Sequence, residues 1–210
     1  MPATRIYCSG PLFSPEEVGG MTAIARVLEQ AGHATFLPHR DGLEAYVLHF
    51  GAVPLPPGLG LLRDGIDAAI FALDAYELVE RCDAVVCNLN GRVPDEGMIV
   101  EAALAFAVGK PLVLYKDDAR APFGGVDNAM LTRLTGGRRV NSVAAIPGAV
   151  TEALARKTAP GSPSSTLQHD IAYGRRIARL LERLPAGTGK KDWDAAVIRE
   201  VLALADERTA

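Results

Sequence analysis

Ala84-Val-Val-Cys-Asn88, Met98-Ile-Val-Glu-Ala-Ala-Leu-Ala-Phe-Ala-Val108 and Pro111-Leu-Val-Leu-Tyr115 decide the fold. They read as strand, helix and strand in succession. The two short apolar runs are bounded by turn residues, as buried strands are. Two parallel strands need a crossover connection, usually a helix. Strands alternating with helices argue a parallel sheet covered on both faces.

Working outward, the same alternation repeats. Arg5-Ile-Tyr-Cys-Ser9 predicts a first strand that ends at Gly10-Pro11. Ser14-Pro15-Glu16-Glu17 supplies a cap, a proline at the first helical position and acids in the first turn, for a helix running to Ala31 and stopping at Gly32. Ala34 to Leu37 is a second strand, and Asp64 to Arg81 has a helical pattern. A fifth strand is expected at Arg139 to Val143, then a helix from Ile146 to Lys157. The expected fold is α/β: a flavodoxin-like doubly wound parallel sheet of about five strands, with ligands outside the carboxyl ends of the strands. The expected organisation is one domain over residues 1–157, a linker at 158–165 (TAPGSPSS lies within 158–165) and a C-terminal helical extension over 166–210. That extension holds two helices, Leu167 to Leu184 and Asp192 to Arg208. Pro38 to Gly60 is a long Pro- and Gly-rich connection, of the kind that is usually functional or mobile.

Composition narrows the function classes. The 210 residues are 49% hydrophobic and 22% charged, as in an ordinary globular protein, and are enough to bury a sizeable core. A net charge of -3 gives no general attraction to nucleic acid or acidic membranes. The three cysteines, Cys8, Cys82 and Cys87, lack C-x-x-C spacing and read as reduced core thiols of a cytoplasmic protein. No signal-peptide pattern and no bilayer-length apolar run is seen. The four histidines lack zinc-ligand spacing, so no metal is expected, and neither a P-loop nor G-x-G-x-x-G occurs.

Glu101 is the sole ionisable side chain between Met98 and Gly109. A helix apolar all round is expected to be buried, and a carboxylate there is costly unless paired, hydrogen-bonded or in use. Tyr7, Ser9 and Gly10 at the end of strand one, Asp95 in the loop before the helix, and Asn128 and Met130 after strand four all fall at the carboxyl edge of the sheet. Asp74 lies in the helix before strand three. A carboxylate in a dry site can attack a sugar C1 as a nucleophile and form a covalent glycosyl-enzyme. Asp95, Asp74 and Tyr7 are candidates for holding sugar hydroxyls and protonating the departing base. Each has a plainer reading: Glu101 as a buried ion-pair partner, Asp95 as a helix cap, Asp74 as a solvated helix face, Tyr7 as core, Asn128 as a turn residue.

Taken together these residues resemble the nucleoside 2-deoxyribosyltransferase family. The matching pieces are Ile6-Tyr-Cys-Ser-Gly-Pro-Leu-Phe13, Cys82-Asp-Ala-Val-Val86, Pro94-Asp-Glu-Gly-Met-Ile-Val-Glu101 and Asp127-Asn-Ala-Met130, within roughly residues 5–145. The resemblance implies a flavodoxin-like fold and cofactor-free transfer of 2-deoxyribose between nucleobases. It implies Glu101 as the nucleophile at C1', Tyr7 as the residue that orients it, and Asp74 acting at the nucleobase. It implies Asp95 on the sugar 5'-hydroxyl, and Ser9, Gly10 and Phe13 lining the pocket. Asn128 and Met130 would be lent by a neighbouring subunit, so a homo-oligomer is implied. The partners would be a deoxynucleoside and a free nucleobase, with no nucleic acid and no membrane. Related enzymes that hydrolyse nucleoside 5'-monophosphates are expected to carry a small hydroxyl residue where Asp95 stands. An aspartate there would repel a phosphate at a cost on the order of kilocalories, which favours an unphosphorylated nucleoside. The alternatives are an N-glycosidase acting on nucleosides or nucleotides, and a non-catalytic nucleoside- or nucleotide-sensing module with the C-terminal helices as its partner surface.

Overall fold

The computed structural model describes residues 3–47, 60–91, 93–120, 126–156, 161–183 and 195–206. Its sheet has four parallel strands, β1 (Arg5–Ser9), β2 (Ala34–Phe36), β3 (Ala84–Asn88) and β4 (Leu112–Tyr115), in the order β2-β1-β3-β4. This is the flavodoxin-like order. β1 and β3 pair from Ile6↔Ala84 to Ser9↔Cys87, so the last residues of both strands lie side by side. Alternation along the strands divides the core. Ile6, Cys8, Val86 and Val113 face one layer, packed against Met21, Ile24 and Leu28 of α1 (Pro15–Gln30) and Ile146 and Val150 of α7 (Ile146–Ala155). Tyr7, Val85, Cys87 and Leu114 face the other layer, against Met98, Ala102 and Ala105 of α5 (Glu96–Ala107).

Local signals set the helix starts. Ser14 caps α1 by accepting the Glu17 N–H at 3.2 Å, and Pro15 opens the helix. The chain leaves that helix through Gly32 at φ +89°, a conformation that only glycine adopts at little cost.

The expected fifth strand does not form. Val140 alone bridges Tyr115; its N–H reaches the Leu114 carbonyl at 2.9 Å. The Arg138 carbonyl, which a longer ladder would need, is taken by the Thr135 hydroxyl, and Arg139 is held by Asp127 at 2.7 Å. The chain then turns into a 3-10 segment at Val143–Ala145. The Pro38 to Gly60 connection is also more ordered than a loop at its start: α2 (Pro38–Asp41) and α3 (Glu44–Val47) lie within it, while residues 48–59 fall outside the described residues.

The described chain divides into two compact units, one of Met1–Leu37 with Leu78–Ser162 and the other of Pro38–Glu77 with Pro163–Ala210. The sheet belongs to the first. The second is helical, built on α4 (Gly60–Tyr76), α8 (Ser165–Leu181) and α9 (Ala195–Asp206). There α8 meets α4 backbone to backbone: a Cβ on Gly174 would stand 1.9 Å from the Ala72 carbonyl oxygen. The Tyr173 hydroxyl, in the buried seam, donates to the Val201 carbonyl at 3.1 Å. The expected linker, at residues 158–165, has its first three residues, 158–160, outside the described residues. No helix among the described residues is long and apolar enough to cross a membrane.

Candidate active site

β1 delivers two hydroxyl groups to one carboxylate. Tyr7 and Ser9 lie two positions apart on the strand and are both fully buried. The Tyr7 hydroxyl donates to Glu101 Oε1 at 2.6 Å, and the Ser9 hydroxyl donates to Glu101 Oε2. Hydrogen bonds to a charged acceptor are short and about twice as strong as neutral ones. The Tyr7 ring is fixed by a stack on Phe36, with centroids 5.3 Å apart.

The environment of this carboxylate keeps its neighbour inert. Burial pushes the Cys87 thiol well above the ordinary thiol range; the Glu101 charge adds to this and a hydrogen bond with Ser9 works against it. Cys87 therefore stays protonated and is no nucleophile. Cys8 and Cys82 are also free and buried. Among the described residues no group of three or more His, Cys, Asp or Glu could hold a metal ion.

Asp95 is the N-cap of α5: its Oδ1 accepts the Met98 N–H at 2.8 Å. Gly97 leaves this oxygen its room, because a Cβ there would stand 3.2 Å from Asp95 Oδ1. The plain capping reading of Asp95 is thus correct for Oδ1. Asp95 and Glu101 stand on one helix, at its cap and its second turn, which ties their separation to helix geometry.

Gly10 follows Ser9 where the chain is squeezed: a Cβ there would lie 2.6 Å from Met21 Sδ and 2.8 Å from Asn88 Cβ. Phe13 is 79% exposed. Asn128 caps α6 (Ala129–Thr132) by accepting the Met130 N–H at 2.9 Å, and Met130 is 82% exposed.

The expectation that the Glu101 helix is buried on all sides is overturned. α5 buries Met98, Ala102 and Ala105, while Ile99, Val100 and Phe106 are 39%, 56% and 58% exposed. A helix lying on one face of a sheet needs only one buried stripe, and the rest of its apolar surface faces outward here.

The family model for nucleoside 2-deoxyribosyltransferases matches residues 6–130. The chain belongs to the nucleoside 2-deoxyribosyltransferase family. No curated protein matches the chain. A solved structure described as a conserved protein from Enterococcus faecalis V583 is similar at 22% identity, with a TM-score of 0.53, over 71% of this chain and 98% of that one. At that identity the likeness speaks to the fold alone.

Within this deoxyribosyltransferase-family chain the predicted residues divide by position. Tyr7, Ser9 and Glu101 are in direct contact, and Asp95 shares the helix of Glu101. Asn128 and Met130 sit in the segment after β4. Asp74 belongs to the helical unit, on α4. It is not a solvated face there: Glu44 of α3 is hydrogen-bonded to it. Burial pushes the Glu44 carboxyl up, while its own backbone N–H and Asp74 pull the other way. Two carboxylates only accept hydrogen bonds, so a bond between them requires a proton on one.

Sequence reading missed two charged residues that follow β4 in the chain, Lys116 and Asp127. Lys116 and Asp127 are buried at 4% and 2% exposure and joined at 2.6 Å. The only signal for them was a lysine closing an apolar strand and an aspartate inside a quoted motif piece.

Proposed function

We propose that the protein transfers 2-deoxyribose between nucleobases through a covalent glycosyl-enzyme on Glu101, with retention of configuration. The observation that carries this reading is one carboxylate held at both oxygens by buried hydroxyls from β1. Such a group is oriented before substrate arrives, which lowers the cost of reaching an attacking geometry. In the first half, a Glu101 oxygen forms a bond to C1' as the C1'–N bond breaks; the bonding pair leaves with the base, and Asp74 supplies the proton. In the second half, a nitrogen of another base attacks C1' and the proton it sheds returns to Asp74, while the ester bond breaks and Glu101 regains its charge. Two inversions give retention.

Tyr7 and Ser9 orient the nucleophile, Asp95 meets the sugar 5'-hydroxyl through Oδ2, and Gly10 and Phe13 border the pocket. Asn128 and Met130 complete the site of a second copy. The exposed apolar side chains Ile99, Val100, Phe106 and Met130 support that assembly, since outward patches of this kind mark association surfaces. Water is a slower competing acceptor.

The test is base exchange. A deoxynucleoside is incubated with a second free base, and the new nucleoside is sought by chromatography. Its formation supports the transferase; free deoxyribose alone supports an N-glycosidase, and neither product supports a sensing module. Glu101→Ala is expected to abolish both transfer and hydrolysis with the fold retained by circular dichroism, and substantial residual turnover would refute the nucleophile.

A further inference from the structure

β4 runs directly into three charged residues, Lys116-Asp117-Asp118. Each bonds to a segment that precedes a candidate site residue in the chain, Asn90 and Gly91 before Asp95 or Asp127 before Asn128. Lys116 Nζ lies 2.6 Å from Asp127 Oδ1 and 3.4 Å from the Gly91 carbonyl oxygen. The other oxygen of Asp127 takes Arg139 at 2.7 Å. Asp117 and Asn90 exchange two bonds: Asn90 Nδ2 donates to Asp117 Oδ1 at 2.6 Å, and the Asp117 N–H donates to Asn90 Oδ1 at 3.1 Å. Asp118 Oδ2 accepts the Gly91 N–H at 3.1 Å, and Arg120 clasps Asp118 through its Nε at 3.0 Å.

Gly91 is the focus of this arrangement. It has φ +115°, where side chains are rarely tolerated, and lacks any side chain of its own to restrain it. Its N–H is held by Asp118 and its carbonyl by Lys116. The segment it starts leads to Asp95. On the other side, Asp127 immediately precedes Asn128, so the ion pair with Lys116 fixes the turn that presents Asn128 and Met130. Lys116 and Asp127 have side chains 2% and 0% exposed. A buried ion pair contributes little net stability against well-packed apolar residues, so its value lies in fixing one geometry.

We infer that Lys116 is a positioning residue that, through Gly91, sets the loop carrying Asp95 and, through Asp127, the turn carrying Asn128. The inference rests on the reading above, in which Asp95 binds the sugar 5'-hydroxyl. Lys116 touches no reacting atom; it acts through those two segments.

The experiment compares a 2'-deoxynucleoside with its 2',5'-dideoxy analogue, which lacks the hydroxyl Asp95 would hold. Lys116→Met keeps the length of the chain and removes the charge. It is expected to raise KM for the 2'-deoxynucleoside by about tenfold to a hundredfold, the scale of a small misplacement. The kcat should change little, and the KM for the analogue should rise less, since only the disturbed Asn128 turn acts on it. Asp118→Ala frees the Gly91 N–H but spares the buried pair, so it should raise the KM for the 2'-deoxynucleoside and leave that for the analogue as it was, in a protein whose folding is not at issue. Equal KM increases on both substrates, or none on either, in both variants would overturn the inference. An unmodified protein that uses both substrates with equal KM, or neither, would instead overturn the reading of Asp95 on which it rests.

Discussion

Removing the Tyr7 hydroxyl tests the most specific feature of the site. The Tyr7 ring is fully buried, stacked on Phe36 at 5.3 Å, and its hydroxyl meets Glu101 Oε1 at 2.6 Å. Tyr7→Phe keeps the ring and its stack and deletes one hydrogen bond to a charged group, an interaction of about 1.5–3 kcal/mol. That energy is distributed unevenly over the proposed reaction. In the first half the carboxylate loses charge as it becomes an ester; the donor then restrains the attack while orienting it, and the two effects oppose. In the second half Glu101 leaves with its charge restored, and the donor stabilises that departure. The full loss should therefore appear in breakdown of the glycosyl-enzyme, slowed about tenfold to a hundredfold at about 1.4 kcal/mol per factor of ten. The covalent species should accumulate and be visible by intact-mass spectrometry after quenching in acid. Ser9→Ala, which strips the donor from Glu101 Oε2, should slow the same half. Each variant should lose about 1.5–3 kcal/mol of stability, a melting shift of several degrees. If Tyr7→Phe slows both halves equally, or breakdown keeps its original rate, the hydroxyl does not act on the departing carboxylate and the reasoning fails.

Other perturbations separate structural from functional roles. Asp95→Ser should leave stability nearly unchanged, because serine caps a helix about as well as aspartate, yet should weaken use of nucleosides and admit 5'-monophosphates. Unmodified protein that already prefers nucleotides would refute this use of Asp95. Val100→Lys places a charge on the exposed apolar face of α5 and should shift the protein to monomer in sedimentation velocity; an unchanged sedimentation coefficient would count against an interface there. The buried Cys87 thiol titrates above its unfolded value, so the native state keeps a proton that the unfolded chain loses. Its contribution is complete below about pH 8.5 and declines as pH rises beyond that, by at most about 1.4 kcal/mol per pH unit. Urea unfolding at about pH 7.5 and about pH 10 should show a shallower decline for Cys87→Ala, and identical declines would refute it.

The sheet was legible because its strands are apolar on both faces and its helices carry their own start signals. β1 and β3 fall where the residue pattern put them, Arg5–Ser9 and Ala84–Asn88. Arg139 to Val143 misled because strand propensity says nothing of where a backbone carbonyl is already committed. The Thr135 hydroxyl takes the Arg138 carbonyl and Asp127 holds Arg139, so only Val140 reaches the sheet edge. The connection after β2 read as a loop because α2 and α3, of four residues each, are too short to show a helical period.

The site was legible through charge, but for a reason that has to be revised. Glu101 stood out as an acid on a helix without polar neighbours, and burial of the whole helix was the expected explanation. Instead α5 is apolar outside as well as inside, and Glu101 sits half-buried on its flank, within reach of Tyr7 and Ser9. Its charge is answered from β1, by residues more than ninety positions away in the chain. No local pattern encodes that contact, nor the pairing of Lys116 with Asp127 across eleven positions. The outer face of α5 then needs its own account. Ile99, Val100 and Phe106 gain nothing from solvent, and a monomer would be better served by polar residues there. A second copy covering that face would explain the apolar composition of the helix and would bring the exposed Met130 to a neighbouring site. The feature that first drew attention to Glu101, an acid in apolar surroundings, thus has two separate parts: a carboxylate held by hydroxyls at the end of β1, and apolar side chains exposed on the outer side of the same helix.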